Sequence, residues 1–235
     1  MKSVLVTRPE PGATRTAERL ADLGFLPLVL PLSEIKPLQV QDVHGQYEAV
    51  AITSANALRH APEEVLAKLH HLPCFAVGSA TAQIARARGF QQILAGDGNG
   101  ASLAEKINQS TTVKARVLYL TGRVRSPQFE EIIALSGREI TPLLIYDTIL
   151  KSYETDYLVQ FFNSLPVHFC LLYSKRGAEA LLAVIKQDNL RHLFEKTQFL
   201  CLSDIIASII SEEGFRHILT AKVQDEAALL KLLHA

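Results

Sequence analysis

No two cysteines of this chain stand in a Cys-x-x-Cys pair, the spacing that commonly holds zinc. Cys74, Cys170 and Cys201 are the three present, each inside a short apolar run. Buried free thiols in a reducing cytoplasm are therefore expected. The eight histidines are scattered, and the adjacent pair His70 and His71 would point about 100° apart on a helix. No structural metal is expected. Neither sign of charge is in excess, with 24 basic and 24 acidic residues. Duplex-binding proteins carry a basic surplus, so a nucleic-acid partner is not expected, although a small anionic ligand in a locally basic cleft stays open. No run approaches the ~18 uninterrupted apolar residues of a membrane span. The chain opens on a strand pattern and lacks the basic region and apolar run of a signal peptide. No membrane contact and a cytoplasmic location are the expectation.

What is present is clearest at residues 73–90. Cys74 to Val77 is a short apolar run between Pro73 and Gly78, which reads as a buried strand. Gly78 suits a tight turn, Ser79 suits a helix cap, Ala80 to Arg88 suits a helix, and Gly89 suits its end. Such a strand, glycine turn and helix leaves backbone N–H groups at the helix start, where an anion can sit. The unit recurs. Phe199 to Ser203 precedes a stretch ending at Gly214-Phe215, 125 residues beyond Gly89-Phe90. Val4-Leu5-Val6 with Leu23-Gly24 is echoed 113 residues on by Val117-Leu118-Tyr119 with Ser136-Gly137. Ala51 to Ser54 is echoed 120 residues on by Leu171 to Ser174. Three echoes in one order indicate a duplication with slightly longer loops in the second copy.

A length of 235 residues with 48% hydrophobic and 20% charged residues suits two α/β domains of about 100 residues each. Strands are expected at 3–7, 25–30, 49–53, 74–77, 92–95, 116–120, 139–146, 168–173, 198–202 and 217–219. Helices are expected between them, including 154–164 and a last one over 226–233. Pro142 inside its strand predicts a bulge or an edge position. Pro31 to Pro37 reads as a stiff crossing between domains, with Tyr146 to Ile149 as its mirror. Short apolar strands alternating with helices predict parallel sheets covered on both faces.

Such sheets bind ligands beyond the carboxyl ends of their strands. The candidate loops are Thr7-Arg8-Pro9, Thr53 to Asn56, Gly78 to Thr81, Thr121-Gly122-Arg123, Tyr173-Ser174-Lys175 and Leu202-Ser203-Asp204. They offer hydroxyls, glycines and a few cations, and no nucleophile with an evident partner. The pattern suits gripping a flexible polyanion at many points, each charge-assisted hydrogen bond contributing about 1.5–3 kcal/mol. Simple roles stand beside this reading. Ser54, Ser79 and Ser174 suit N-caps, Arg123 and Arg125 suit solvated surface charge, and Tyr146 suits a core position. Gly96 to Gly100 lacks both the P-loop ending and the dinucleotide spacing and reads as a surface loop.

These residues in this order resemble the uroporphyrinogen-III synthase family, the cyclases of tetrapyrrole biosynthesis. The likeness runs through Thr7-Arg8-Pro9, Thr53-Ser54-Ala55-Asn56, Ala76 to Ala82 with Gly89, Thr121-Gly122 with Gly137, Tyr146, Tyr173 to Ala178, and the closing unit to Leu233. It spans the chain. The resemblance implies an α/β fold of two similar domains, each a parallel sheet flanked by helices. A two-stranded linker would join them, with the active cleft between. One domain would comprise residues 1–35 with 150–235, the other residues 36–149. It implies closure of hydroxymethylbilane, supplied by hydroxymethylbilane synthase, to uroporphyrinogen III, with ring D inverted through a spiro intermediate and water lost. A monomer without cofactor is expected.

Tyr146 is carried over as a general acid for the leaving hydroxyl. Thr7, Arg8, Ser54, Asn56, Gly78, Ser79, Thr81, Gly122, Arg123, Arg125, Ser174 and Lys175 are carried over as substrate-binding positions. The chain departs from the pattern in two places. Ser203 and Ile206 stand where the family often has Gly and Thr, leaving Asp204 as the expected cap. Ser126 stands where an arginine is common, with Arg125 displaced beside it. Two other readings remain. One is a two-domain tetrapyrrole or anionic-ligand binder without chemistry. The other is an enzyme acting on a phosphorylated sugar.

Overall fold

Left-handed glycines close the repeated helices, and they explain why the echoes are visible in the sequence. Gly24, Gly89, Gly137 and Gly214 have φ of 81°, 95°, 78° and 85°, a region that favours glycine. In two of them the next residue is a buried phenylalanine whose N–H reaches back one turn, Phe25 to Leu20 at 2.9 Å and Phe90 to Ala85 at 3.1 Å. That is a helix stop with its hydrophobic contact.

The computed structural model describes every residue except 41, 126, 164, 188 and 189. The chain divides into two compact units, Met1–Glu34 with Ile149–Ala235, and Ile35–Thr148. The first begins with β1 (Ser3–Val6), α1 (Gly12–Asp22) and β2 (Leu26–Val29), and β3 (Ser33–Pro37) leaves it. The second holds β4 (Ala49–Ile52), α2 (Ala55–His60), α3 (Glu63–Ala67), β5 (Cys74–Ala76), α4 (Ser79–Ala87) and β6 (Ile93–Ala95). It continues with α5 (Gly100–Ser110), β7 (Arg116–Gly122) and α6 (Pro127–Leu135), and β8 (Glu139–Leu150) returns the chain. The first unit then resumes with α7 (Thr155–Phe162), β9 (Phe169–Leu172), α8 (Lys175–Gln187), α9 (Arg191–Phe194) and β10 (Gln198–Cys201). It ends with α10 (Asp204–Glu212), β11 (Ile218–Thr220), α11 (Glu226–Lys231) and a 3-10 turn, Leu232–His234.

One sheet has the order β11-β10-β9-β1-β2 and the other β3-β8-β7-β4-β5-β6. The pairs from β4 to β8 and those of the first sheet are parallel. Read from the other end, β2-β1-β9-β10-β11 matches β8-β7-β4-β5-β6 place for place. The three sequence echoes pair β1 with β7, β4 with β9 and β5 with β10, so each echo occupies the same sheet position in its own unit. Each sheet is covered on both faces. In β1, Leu5 packs into one core and Val4 and Val6 into another. In β4, Val50 and Ile52 face one core and Ala49 and Ala51 the other. Fully buried anchors such as Phe162, Phe194 and Phe75 each stabilise by about 1.5–3 kcal/mol relative to exposure.

Several sequence expectations need correction. Residues 31–37 are not simply a connection, because Ser33–Pro37 forms β3 and pairs with β8. Tyr146 to Ile149 continues β8. Pro142 produces no bulge: it pairs in register with Tyr119, and the irregularity falls at Thr121/Gly122. The Leu38 N–H reaches the Ile145 carbonyl at 2.9 Å, so Pro142 lies beyond the part of β8 that β3 accompanies. Residues 97–99 are exposed, as expected of a surface loop, and the segment also does more than join elements. Asn99 caps α5 by accepting from the Ser102 N–H, and the Gly98 N–H is tied to the Val77 carbonyl at 2.8 Å. The expected helix over 154–164 forms as Thr155–Phe162, and Ser164 lies outside the described residues.

Candidate functional site

In the second unit the strand ends place several of the expected residues together. Parallel register sets Gly122, at the end of β7, opposite Tyr146 in β8. β4 ends beside β7, and β5 beside β4, leading into Thr53-Ser54 and Val77-Gly78. Tyr146 is 7% exposed. A Cβ on Gly122 would stand 2.7 Å from two of its ring carbons and 3.1 Å from its hydroxyl, so only glycine lets the ring lie there. The Arg123 N–H donates to the Tyr146 carbonyl at 2.8 Å, and the His60 ring lies 6.4 Å from the Tyr146 ring. Burial pushes the Tyr146 hydroxyl above the ordinary value of 10, with the Ser54 side chain pulling it partly back. A group in that state stays protonated at neutral pH and can donate.

Around it, Ser54 caps α2, its hydroxyl accepting from the Asn56 N–H at 3.3 Å. Asn56 accepts from Arg59 at 3.0 Å. Thr53 and Tyr119 hydroxyls are 2.5 Å apart, a polar pair that sequence reasoning did not single out. Gly78 and Ser79 differ from expectation. Gly78 itself is the N-cap of α4, with an extended backbone at φ −166°, so no left-handed turn requires glycine there. Its need is space, since a Cβ would meet the Gly98 Cα at 3.3 Å. Ser79 is the first helical residue, makes no cap bond and is exposed, while Thr81 is buried.

The two arginines expected to bind substrate in this unit are engaged. Arg123 pairs with Asp147 at 3.3 Å, and Arg125 pairs with Glu130 at the start of α6. Ser126, between Arg125 and that helix, lies outside the described residues.

The first unit collects a second group at the carboxyl ends of β1 and β9. Thr7 is buried and its hydroxyl donates to the Leu171 carbonyl at 3.4 Å. Arg8 donates to Glu226 at 2.9 Å and lies over the Tyr173 ring, 4.3 Å from its centroid. Glu226 also accepts from Tyr173 at 3.1 Å, from Arg19 at 2.8 Å and from the Thr16 hydroxyl. Burial alone would raise the Glu226 carboxyl, but the Thr16 hydroxyl, Arg8, Tyr173 and Arg19 outweigh it and hold it below 4.5. Tyr173 is pushed up to about 12, mainly by burial and next by the Glu226 charge.

Ser174 accepts from the Gly177 N–H at 3.1 Å, as a cap would, and the exposed Lys175 stands 3.7 Å from Glu179. The expected cap at Asp204 is not formed: Ser203 occupies the N-cap of α10 with an extended backbone, as Gly78 does for α4, and without a side-chain bond. Ile206, the counterpart of Thr81, packs into the core.

Sequence reasoning missed Glu226 and Thr16. Glu226 was legible only as the start of the last helix, and its partner Arg8 lies 218 positions away. Among the described residues no group of three or more His, Cys, Asp or Glu stands close enough to hold a metal ion. No described helix is long and apolar enough to cross a membrane.

A family model described as uroporphyrinogen-III synthase HemD matches residues 14–231. The chain is 25% identical to the uroporphyrinogen-III synthase of Escherichia coli K12 over 98% of this chain and 99% of that one. It is 28% identical to that of Chlorobaculum parvum over 66% of this chain and 67% of the relative. Among solved structures, uroporphyrinogen-III synthetase of Helicobacter pylori 26695 superposes with a TM-score of 0.67 at 20% identity, over 99% of this chain and 98% of that one. A mutant uroporphyrinogen-III synthase of Thermus thermophilus gives 0.57 at 16% identity, over 100% and 98%. These two likenesses concern the fold alone.

Proposed function

This chain belongs to the uroporphyrinogen-III synthase family, and from that premise we propose that it closes the linear tetrapyrrole hydroxymethylbilane to uroporphyrinogen III, inverting the last ring and losing water. The observation that carries the reading is the match of the family model to residues 14–231. The order of strand-end loops along the whole chain agrees with it.

The chemical difficulty is geometric. The bilane can close unaided without inversion, so the protein must hold the other near-attack arrangement. It must also let hydroxide leave. Tyr146 suits that step, because its buried hydroxyl sits above the ordinary tyrosine range and remains protonated. As the carbon–oxygen bond breaks, the phenol proton passes to the departing oxygen and water results. The azafulvenium cation left behind then closes the ring by forming a carbon–carbon bond to the terminal pyrrole, and the proton lost on closure restores the phenol.

The substrate carboxylates need distributed grips. Ser54, Asn56, Gly78, Ser79, Thr81, Gly122 and Arg123 supply them in one unit, and Thr7, Arg8, Ser174 and Lys175 in the other. Arg125 is a weaker candidate, because Glu130 already holds it. Proton transfer and positioning complete this scheme, so the reaction is read as cofactor-independent. The same reading makes the chain a cytoplasmic monomer fed by hydroxymethylbilane synthase.

The test is the isomer formed from fresh bilane. Spontaneous closure gives isomer I, so isomer III in its place supports the proposal. A protein that binds the tetrapyrrole and leaves both rate and isomer unchanged is a binder without chemistry.

A further inference from the structure

Arg8 is held by more contacts than an ion pair needs. Its Nη1 donates to Glu226 Oε1 at 2.9 Å and to the Thr16 hydroxyl at 3.4 Å, and its guanidinium lies over the Tyr173 ring. Glu226 is fixed in turn, since Oε1 also accepts from Thr16 and Tyr173, and Oε2 accepts from Arg19 at 2.8 Å. The Arg19 pair already ties α1 to α11, so the grip on Arg8 is not needed for that tie.

The other edge of the guanidinium is unspent. Among the described residues, Nε and Nη2 of Arg8 donate no hydrogen bond. Gly12, the first residue of α1, lies against the guanidinium group. A Cβ there would stand 2.6 Å from Nε, 2.9 Å from Cζ and 3.1 Å from Nη2. The missing side chain therefore leaves the guanidinium room to lie there. Arg8 retains 26% of its side-chain surface, so it is reachable from outside. An Nε/Nη2 edge is the fork that receives a carboxylate through two parallel bonds.

We propose that Glu226 is a positioning residue: it fixes the Arg8 guanidinium over Tyr173, with Gly12 leaving the group room, so that Arg8 receives one carboxylate of the tetrapyrrole. This rests on the function proposed above. Glu226 does not itself touch substrate. Its carboxylate neutralises part of the Arg8 charge while restricting its rotamers, so less side-chain freedom is lost on binding.

The test compares wild type with Arg8→Ala, Glu226→Gln, Gly12→Ala and the double variant Arg8→Ala/Glu226→Gln. Three quantities are read: KM and kcat with fresh hydroxymethylbilane, affinity for uroporphyrin III by porphyrin fluorescence, and Tm. Gly12→Ala is the decisive variant. It replaces a helical glycine by a better helix former, and the new methyl group would displace the guanidinium of Arg8. It should raise KM about tenfold or more, as expected for one lost charge-assisted contact. kcat should stay within about twofold and Tm close to that of wild type, the gain in helix propensity offsetting the displaced contact. Glu226→Gln should also raise KM, and the double variant should be no worse than Arg8→Ala alone, because the two act through one contact.

KM and uroporphyrin affinity within twofold of wild type in both Gly12→Ala and Glu226→Gln would overturn the proposal. Additive losses in the double variant would overturn it as well. If wild type forms no isomer III, the functional reading fails, and the uroporphyrin titration across the same variants still decides the role of Glu226.

Discussion

Gly122 and Tyr146 face each other across β7 and β8 so closely that a methyl group on Gly122 would stand 2.7 Å from the tyrosine ring. The ring is buried, so it cannot swing aside at little cost. Gly122→Ala should therefore lower stability by about 1–3 kcal/mol, the range for overpacking a filled site, and should misplace the Tyr146 hydroxyl. Urea unfolding and turnover of the purified variant check this. Wild-type stability together with wild-type turnover would mean that the contact relaxes freely.

Tyr146→Phe removes the hydroxyl and keeps the ring that Gly122 accommodates. Its rate should fall by about 10²–10⁴, the range for losing a positioned acid, with little change in Tm. The Tyr146 hydroxyl titrates above 10, so its donor form is intact through neutral pH. Wild-type kcat should thus decline only on the alkaline side, and the variant should lack that limb. A full rate in the phenylalanine variant would remove Tyr146 from the chemistry.

Glu226 makes stability depend on acid. Its folded pKa lies below the ordinary 4.5 because hydrogen bonds and two arginines outweigh burial. A depressed carboxylate contributes stability that is present above its unfolded pKa and lost as pH falls through the folded value. The Tm gap between wild type and Glu226→Gln should be widest above about pH 5 and close as the pH drops below 4.5. Thermal melts from neutral pH down into acid decide this, and a gap that does not narrow in acid would contradict the assignment.

The thiols should be silent. Cys74 and Cys201 are pushed up to about 12 and Cys170 well above its ordinary value, in each case chiefly by burial. All three are buried and unpaired. A thiol reagent at mildly alkaline pH should label none of them in the native protein and all three in denaturant. Rapid labelling of any one under native conditions would show an opening that the fold does not contain.

Local patterns made most of the fold legible. Gly24, Gly89, Gly137 and Gly214 end helices by a backbone rule that any sequence must obey, so the duplication could be read from them. Matches at unequal spacing still landed on equivalent strands. What was misread turned on contacts with other parts of the chain. Ser79 looked like a cap because hydroxyls usually are, but the cap falls one residue earlier, where Gly78 must be small to pass Gly98. Pro142 suggested a bulge or an edge position; parallel pairing with β7 carries it in register, and its other side lies beyond the reach of β3. Arg8 and Tyr173 were visible as strand-end residues. Glu226, which organises them, was not, because nothing local to α11 shows that β1 ends beside it.

The product of one reaction tests the synthase assignment most directly. Hydroxymethylbilane would be generated fresh, incubated with the protein, oxidised, and the uroporphyrins separated by chromatography beside a protein-free control and an active family member. Mostly isomer III is expected with the protein and mostly isomer I without it. Isomer I alone, at the rate of the protein-free control while the active enzyme yields isomer III, would contradict the assignment.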